Sequence, residues 1–126
     1  MKRIFLILSI SAITALSFSM TSFAEGDAVK GLKVFKKCKA CHTADEGGKN
    51  RVGPNLFGIV GKKAAQREGY KYSKAMIASG LTWDEATLDT YLTKPRALVK
   101  KTKMTFAGLK KDKQRADIIA YLKTLQ

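Results

Sequence analysis

The sequence predicts an all-α fold, and three observations lead to that prediction. Apolar residues recur at helical spacing towards both ends of the chain, strand signals are weak throughout, and glycine-rich segments separate the helical ones. The 126 residues include 24 Lys and Arg against 10 Asp and Glu, so the net charge is +14, and 45% of the residues are hydrophobic. This composition excludes a disordered tail, and the length accommodates one domain together with a targeting segment.

Residues 1–24 have the layout of a secretory signal peptide. Lys2 and Arg3 precede an uncharged and largely apolar run, and small residues follow up to Ala24. A membrane anchor would need about 20 apolar residues, whereas this run is shorter and is interrupted by Ser and Thr. Anchoring is therefore the less favoured alternative. We expect cleavage after Ala24, a mature domain over residues 25–126, and a soluble protein exported to the periplasm.

The first two predicted helices follow from apolar periodicity and from capping residues. A helix over residues 27–37 has Asp27 as its N-cap, because the carboxylate can accept from free amide groups of the first turn. A short helix over residues 73–79 ends at Gly80, the residue type that most often closes a helix.

Two more helices are predicted in the second half of the chain. The third begins at a capping box of Thr82 and Glu85 and ends before Pro95. The last runs over about residues 113–125 with Asp112 as its N-cap. Long loops cover residues 43–72 and 95–111. Loops of this length in a compact domain need a reason, and wrapping a cofactor is one.

Residues 38–42 spell C-x-x-C-H, the attachment motif of c-type haem. Cys38 and Cys41 lie about one helical turn apart, so each can form a thioether with one haem, and His42 can bind its iron. A thioredoxin-like dithiol would need a βαβ context, and a structural zinc site needs four protein ligands although the chain has two Cys and one His. A plain disulfide is permitted in an exported chain. We expect one covalent haem c.

The second axial ligand follows by elimination. His42 is the only His, so two imidazoles from one chain are excluded. Met104 lies in a loop that could aim its sulfur at the iron, whereas Met76 lies in the short predicted helix, where a Met more often fills a core. We expect Met104 as the ligand and Met76 as pocket lining. A thioether opposite an imidazole raises the haem potential and leaves no open position, which favours electron transfer. The alternative is a haem protein that binds peroxide or a gas after Met104 leaves.

These residues resemble class I cytochrome c of the short mitochondrial or alphaproteobacterial type, over residues 26–126. The resemblance implies a single domain in which packed terminal helices cross at Gly31, while inner helices and long loops wrap one covalently bound haem. It also implies that the Pro54 carbonyl accepts from His42, that Tyr72 and Trp83 bond a haem propionate, and that other polar groups lie near the Met sulfur. The implied haem-pocket residues are Gly53, Pro54, Tyr72, Trp83, Tyr91, Thr102 and Phe106.

Three positions depart from the pattern of that family. Lys62 stands where the family often places an Arg near a propionate, and Lys cannot make the same bidentate contact. Met76 stands where a buried Asn often bonds an internal water. Lys100 and Lys101 replace a Pro-Gly pair before the Met loop.

The excess positive charge predicts a docking surface around the haem edge, although a solvated surface without any target is the plain alternative. A basic ring would steer an acidic redox partner. The expected docking residues are Lys37, Lys39, Lys63, Arg96, Lys100, Lys101 and Lys103. The resemblance implies a cytochrome bc1-type donor, a terminal oxidase-type acceptor and a monomer. The predicted export argues against nucleic acid as a partner. An anionic membrane surface is expected as a secondary partner. The sequence contains no recognisable enzyme motif.

Overall fold

The computed structural model describes residues 25–126, and the expected signal peptide over residues 1–24 lies outside the described residues. The described part contains five helices: α1 Ala28–Phe35, α2 Lys74–Ser79, α3 Glu85–Thr93, α4 Pro95–Leu98 and α5 Asp112–Lys123. Its one extended pairing is an isolated antiparallel bridge between Lys63 and Thr82. The predicted all-α class is confirmed for this part of the chain.

The two terminal helices, α1 and α5, pack directly against each other at a glycine. Gly31 on α1 is buried, and a Cβ added to it would lie 2.0 Å from the carbonyl oxygen of Asp117 on α5. Beside this crossing, the ring of Phe35 lies 5.2 Å from that of Tyr121. A side chain at position 31 would force the helices apart, so the crossing depends on Gly31.

Ion pairs and hydrogen bonds fasten α5 to its surroundings. The buried carboxylate of Asp117 accepts from the amide N–H of Asp27 at 2.8 Å and from Lys113 Nζ at 2.5 Å. Arg115, also buried, donates to Asp89 on α3 and to Asp112, both at 2.7 Å. Buried charges are stable only when they are paired in this way. The last helix therefore holds α1 and α3 in place.

The predicted N-cap of α1 is right, α2 begins one residue later than the predicted Ser73, and the starts of two other helices are wrong. Asp27 caps α1 through bonds to the next amides, and Ser73 caps α2 with its hydroxyl 3.1 Å from the Met76 amide nitrogen. The cap of α3 is Asp84 rather than Thr82, because Asp84 Oδ1 accepts from the Thr87 amide at 2.7 Å. The N-cap thus lies two residues after the predicted one, and Thr82 forms the extended bridge instead.

At the last helix, Asp112 is the first helical residue rather than the N-cap, which is Lys111. The Asp112 carboxylate is drawn to Arg115 and does not cap the amides. Pro95 begins the short helix α4 within the predicted loop, at a helix start where its missing N–H has no cost. Nor does α1 reach position 37; it ends at Phe35 and continues as a series of turns.

A single hydrophobic core connects these elements. Its buried members come from α1, α2, α3, α5 and the intervening loops: Phe35, Ala64, Met76, Trp83, Leu88, Tyr91, Leu92, Val99, Leu109, Ile118, Ile119 and Leu122. Within residues 25–126, no helix is both long and apolar enough to cross a bilayer.

Candidate functional site

A cavity of about 410 Å³ lies in the core, and its walls are mainly apolar. Every residue predicted for attachment, iron ligation or the haem pocket lines it: Cys38, Cys41, His42, Gly53, Pro54, Tyr72, Trp83, Tyr91, Thr102, Met104 and Phe106. Met76 lines the same cavity, as predicted. Its volume is in the usual range for small-molecule sites. Two thiols, one imidazole and the thioethers of Met76 and Met104 in apolar walls fit a haem.

The attachment motif forms the turn that follows α1. The amide groups of Cys41 and His42 both donate to the carbonyl oxygen of Cys38, at 3.0 and 2.9 Å. Both cysteines are free thiols, so the structure does not support a disulfide. Burial raises the pKa of the Cys38 thiol to about 11, which disfavours the thiolate that zinc requires. In residues 25–126 no three His, Cys, Asp or Glu side chains gather in a metal-binding group.

His42 is oriented by a backbone carbonyl. Its Nδ1 lies 2.7 Å from the carbonyl oxygen of Pro54, which can only accept, so Nδ1 carries the proton and Nε2 is left to bind a metal. Burial lowers the pKa of His42, and the bond to Pro54 opposes that shift. A Cβ on Gly53 would lie 2.4 Å from His42 Cε1. Glycine at position 53 therefore lets the ring lie against the chain.

Asn55 secures the segment that carries this carbonyl, and the sequence analysis did not single it out. Its side chain is 2% exposed. The Nδ2 atom donates to Thr43 Oγ1 at 2.7 Å and to the carbonyl oxygen of Asp45 at 3.0 Å. Its Oδ1 accepts from the Phe57 amide at 2.9 Å, and its own amide donates to Asn50 at 3.0 Å. An Asn two residues before the amide it bonds is an Asx turn, the one local signal available.

The hydroxyl groups of Tyr91 and Thr102 lie near Met104. Tyr91 Oη lies 3.9 Å from Met104 Sδ and 3.5 Å from Thr102 Oγ1. The Thr102 hydroxyl also accepts from the Met104 amide at 3.3 Å. Burial raises the pKa of Tyr91, so its hydroxyl stays protonated and can donate. The ring of Trp83 packs 4.9 Å from that of Tyr91.

Tyr72 borders the cavity beside a cation that the sequence analysis also missed. The Tyr72 hydroxyl accepts from the Arg67 amide at 3.2 Å, and its ring meets Tyr70 edge-on at 4.8 Å. The guanidinium of Arg67 donates to the carbonyl oxygens of Asn55, at 3.1 Å, and Phe57. Burial raises the pKa of Tyr72, while the charge of Arg67 opposes the shift. No local pattern marks Arg67, because its partners lie ten and twelve residues away.

The predicted docking residues are all exposed, and two of them, Lys37 and Lys103, line the cavity. In the described part of the chain none of the seven forms a salt bridge, whereas the paired cations are Lys30, Lys113, Arg115 and Lys123. Lys103 donates to the Lys71 carbonyl at 2.5 Å and lies 5.4 Å from the centre of the Tyr70 ring.

Comparison with known proteins gives a consistent result. The Cytochrome c family matches residues 28–126. The chain is 54% identical to cytochrome c2 of Rhodomicrobium vannielii over 110 residues, 87% of this chain and 88% of that protein. It is 48% identical to cytochrome c2 of Rhodospirillum rubrum over the full length of both. The structure of cytochrome cH from Methylobacterium extorquens matches 79% of this chain and 99% of its own, with 51% identity and a TM-score of 0.75.

The fold, the motif and these relatives lead to one conclusion. As expected from the sequence, the protein is an electron carrier with redox partner proteins and not an enzyme. Its cofactor is one covalently bound haem c, for which Cys38 and Cys41 supply the thiols. The chain belongs to the cytochrome c family.

Proposed function

We propose that this protein is a periplasmic carrier that shuttles one electron between membrane respiratory complexes, with His42 and Met104 as the axial ligands. The observation that carries the proposal is that both side chains line one cavity together with Cys38 and Cys41. The haem iron supplies a reversible one-electron couple. The protein supplies the attachment, the ligands and the apolar walls.

Each wall residue then has a defined part. The bond from His42 to the Pro54 carbonyl keeps the imidazole in one tautomer and increases its electron donation. The Met104 thioether favours the reduced iron and raises the potential. Apolar walls act in the same direction, because the ferric state carries one more positive charge. Tyr72 and Trp83 are the proposed partners of a haem propionate, and Phe106 covers the exposed edge.

The test is a visible spectrum of the periplasmic protein in both oxidation states, before and after acid–acetone extraction. The haem should resist extraction, and the ferric protein should show the weak long-wavelength band of a Met–iron bond. Met104→Ala should remove that band, whereas the matched control Met76→Ala should keep it. A band that survives Met104→Ala would refute the ligand assignment. Covalent haem without the band would favour the ligand-binding alternative.

We further propose that the seven predicted docking cations, which are exposed and form no salt bridge within residues 25–126, dock acidic redox proteins, a cytochrome bc1-type donor and a terminal oxidase-type acceptor. Monomeric protein and secondary binding to anionic membranes are part of this proposal. Lys100→Gln with Lys101→Gln should slow electron transfer at low salt and reduce its dependence on ionic strength. Lys30→Gln with Lys123→Gln is the control, because these lysines are already paired with acids. Equal effects of the two pairs would contradict a localised docking surface.

The proposed export rests on residues 1–24. The haem-loaded protein released from the periplasm should begin at Glu25 on N-terminal sequencing. Haem protein that stays in the membrane fraction with an intact N-terminus would instead indicate an uncleaved anchor.

A further inference from the structure

Arg67 is half-buried, and its guanidinium has only carbonyl partners in the described part of the chain. Its Nε donates to the Asn55 carbonyl at 3.1 Å, its Nη2 donates to the Phe57 carbonyl, and its amide donates to the Tyr72 hydroxyl. No carboxylate among residues 25–126 forms an ion pair with it. This differs from Arg115, the other enclosed guanidinium, which contacts two aspartates.

The surroundings of Arg67 indicate where its missing anion would come from. A partly desolvated guanidinium is costly without a counter-charge, and its Nη1 donates to no group in the described residues. Tyr72, which bonds the Arg67 amide, lines the haem cavity, as do Pro54 and Leu56 on either side of Asn55. Haem brings two carboxylates on one edge of its ring. Arg67 does not itself line the cavity, so its charge would act on those carboxylates across the wall residues that it bonds.

Arg67 also links two parts of the cavity wall. One is the segment of residues 54–57, which begins with the carbonyl that accepts from His42. The other is the Tyr72 side of the cavity. Lys62, by contrast, is exposed, and its side chain forms no hydrogen bond or ion pair within residues 25–126. The planar guanidinium of an arginine can donate to two carbonyl oxygens in a fixed geometry, whereas the ammonium of a lysine cannot.

We propose that Arg67 is the positioning residue of the haem's carboxylate edge: its guanidinium clamps residues 55–57 and its charge stabilises a haem carboxylate beside Tyr72. Lys62 does not perform this positioning role. The inference rests on the proposed electron-carrier function and names the residue that tunes it. Loss of the positive charge of Arg67 favours ferric over ferrous iron. Loss of the planar guanidinium removes its carbonyl bonds and loosens residues 55–57, which follow the Pro54 carbonyl that orients His42.

The experiment measures the reduction potential and the denaturant midpoint of the haem-loaded full chain and its variants. Arg67→Gln should shift the ferrous–ferric equilibrium about threefold to tenfold towards ferric, a lowering of roughly 28 to 59 mV at ~59 mV per factor of ten. Arg67→Lys should keep the ferrous–ferric equilibrium within about twofold of wild type but lower the denaturant midpoint. The controls are Lys62→Gln and Arg51→Gln. Arg51 is an exposed arginine that bonds the Lys39 carbonyl at 2.9 Å.

Three results would overturn the proposal. One is a potential of Arg67→Gln no further from wild type than those of the two controls, and another is a larger shift in Lys62→Gln. If Arg67→Gln does not fold, the Arg67→Lys variant provides the test. An unchanged denaturant midpoint in Arg67→Lys would refute the proposed clamping of residues 55–57. The spectrum of the wild-type protein tests the proposed ligands separately. Absence of its Met band would refute the ligand set without reference to Arg67.

Discussion

Two walls of the cavity differ in how tightly they are held. The histidine wall, residues 42–57, is held by the His42–Pro54 bond of 2.7 Å and by four Asn55 bonds of 2.7 to 3.0 Å. The methionine wall, residues 99–106, has contacts of 3.3, 3.5 and 3.9 Å around Met104. Lys101 in that wall has a φ of 64°, which L-residues rarely adopt. The contacts of Met104 itself are the longer ones, so we expect the histidine wall to be the fixed side and Met104, the proposed second ligand, to yield first.

The largest expected effect is at the closest contact of the histidine wall. Gly53→Ala would bring a methyl carbon within 2.4 Å of the His42 ring, so either the ring or the segment must move. We expect a loss of about 3 kcal/mol in the free energy of unfolding and poor haem loading, measured by denaturant titration and by haem content. Gly80→Ala is the control, since a Cβ at position 80 would meet no heavy atom of the described residues within 4 Å beyond its chain neighbours, although φ there is 61°. It should cost about 1 kcal/mol and leave haem content unchanged. Equal haem loss in both variants would refute the steric argument.

The second prediction removes the hydrogen bonds of the histidine wall without a steric clash. Asn55→Ala deletes three side-chain bonds and strands the groups that made them, so unfolding should become easier by about 2 kcal/mol. The Met–iron band should persist at neutral pH. Asn50→Ala, a half-buried neighbour, should cost about 1 kcal/mol. If Asn55→Ala instead abolished the Met band while leaving stability intact, the two walls would not be separable.

A smaller effect is expected in the methionine wall. Thr102→Val keeps the shape but removes the hydroxyl that accepts from the Met104 amide and lies near Tyr91. We expect a loss of about 1 kcal/mol in the free energy of unfolding, and disappearance of the Met band at a lower alkaline pH than in wild type. Thr105→Val, exposed in the same loop, is the matched control. An unchanged pH for loss of the band would show that these long contacts do not hold Met104.

The smallest prediction strengthens the methionine wall rather than weakening it. Lys101→Gly relieves the left-handed conformation at φ 64°, worth about 1 kcal/mol or more, but glycine also adds freedom to the unfolded chain, which offsets about half of that. A net gain of about 0.5 kcal/mol is expected, measured by thermal and denaturant unfolding. Lys100→Gly, one residue earlier and without positive φ, should destabilise. A loss in Lys101→Gly as large as in Lys100→Gly would mean that position 101 is not strained.

The same contrast explains what sequence reasoning could and could not find. His42 and both cysteines are contained in one five-residue string, and Met104 is reached by elimination, so the candidate ligands are visible without any tertiary information. The start of α1 depends on a local cap and was predicted correctly, and α2 begins one residue after the predicted Ser73, which caps it. The starts of α3 and α5 were not predicted correctly, because Thr82 pairs with the distant Lys63, whereas Asp112 bonds Arg115 one turn further along its own helix instead of capping it. Asn55 bonds Thr43 and Asp45, and Arg67 bonds two distant carbonyls, so most of their partners appear only once the chain is folded.

The glycine crossing of α1 and α5 has a consequence for the order of events during synthesis. Phe35 ends the first helix, whereas its partner helix is complete only at Lys123. At about 5 to 20 residues per second, the ribosome needs roughly 4 to 18 s to make the intervening chain. During that interval the two thiols lie beside a helix that has nothing to pack against. The crossing of the terminal helices therefore cannot form until nearly the whole chain has been made, so this contact comes late relative to the local contacts within each helix.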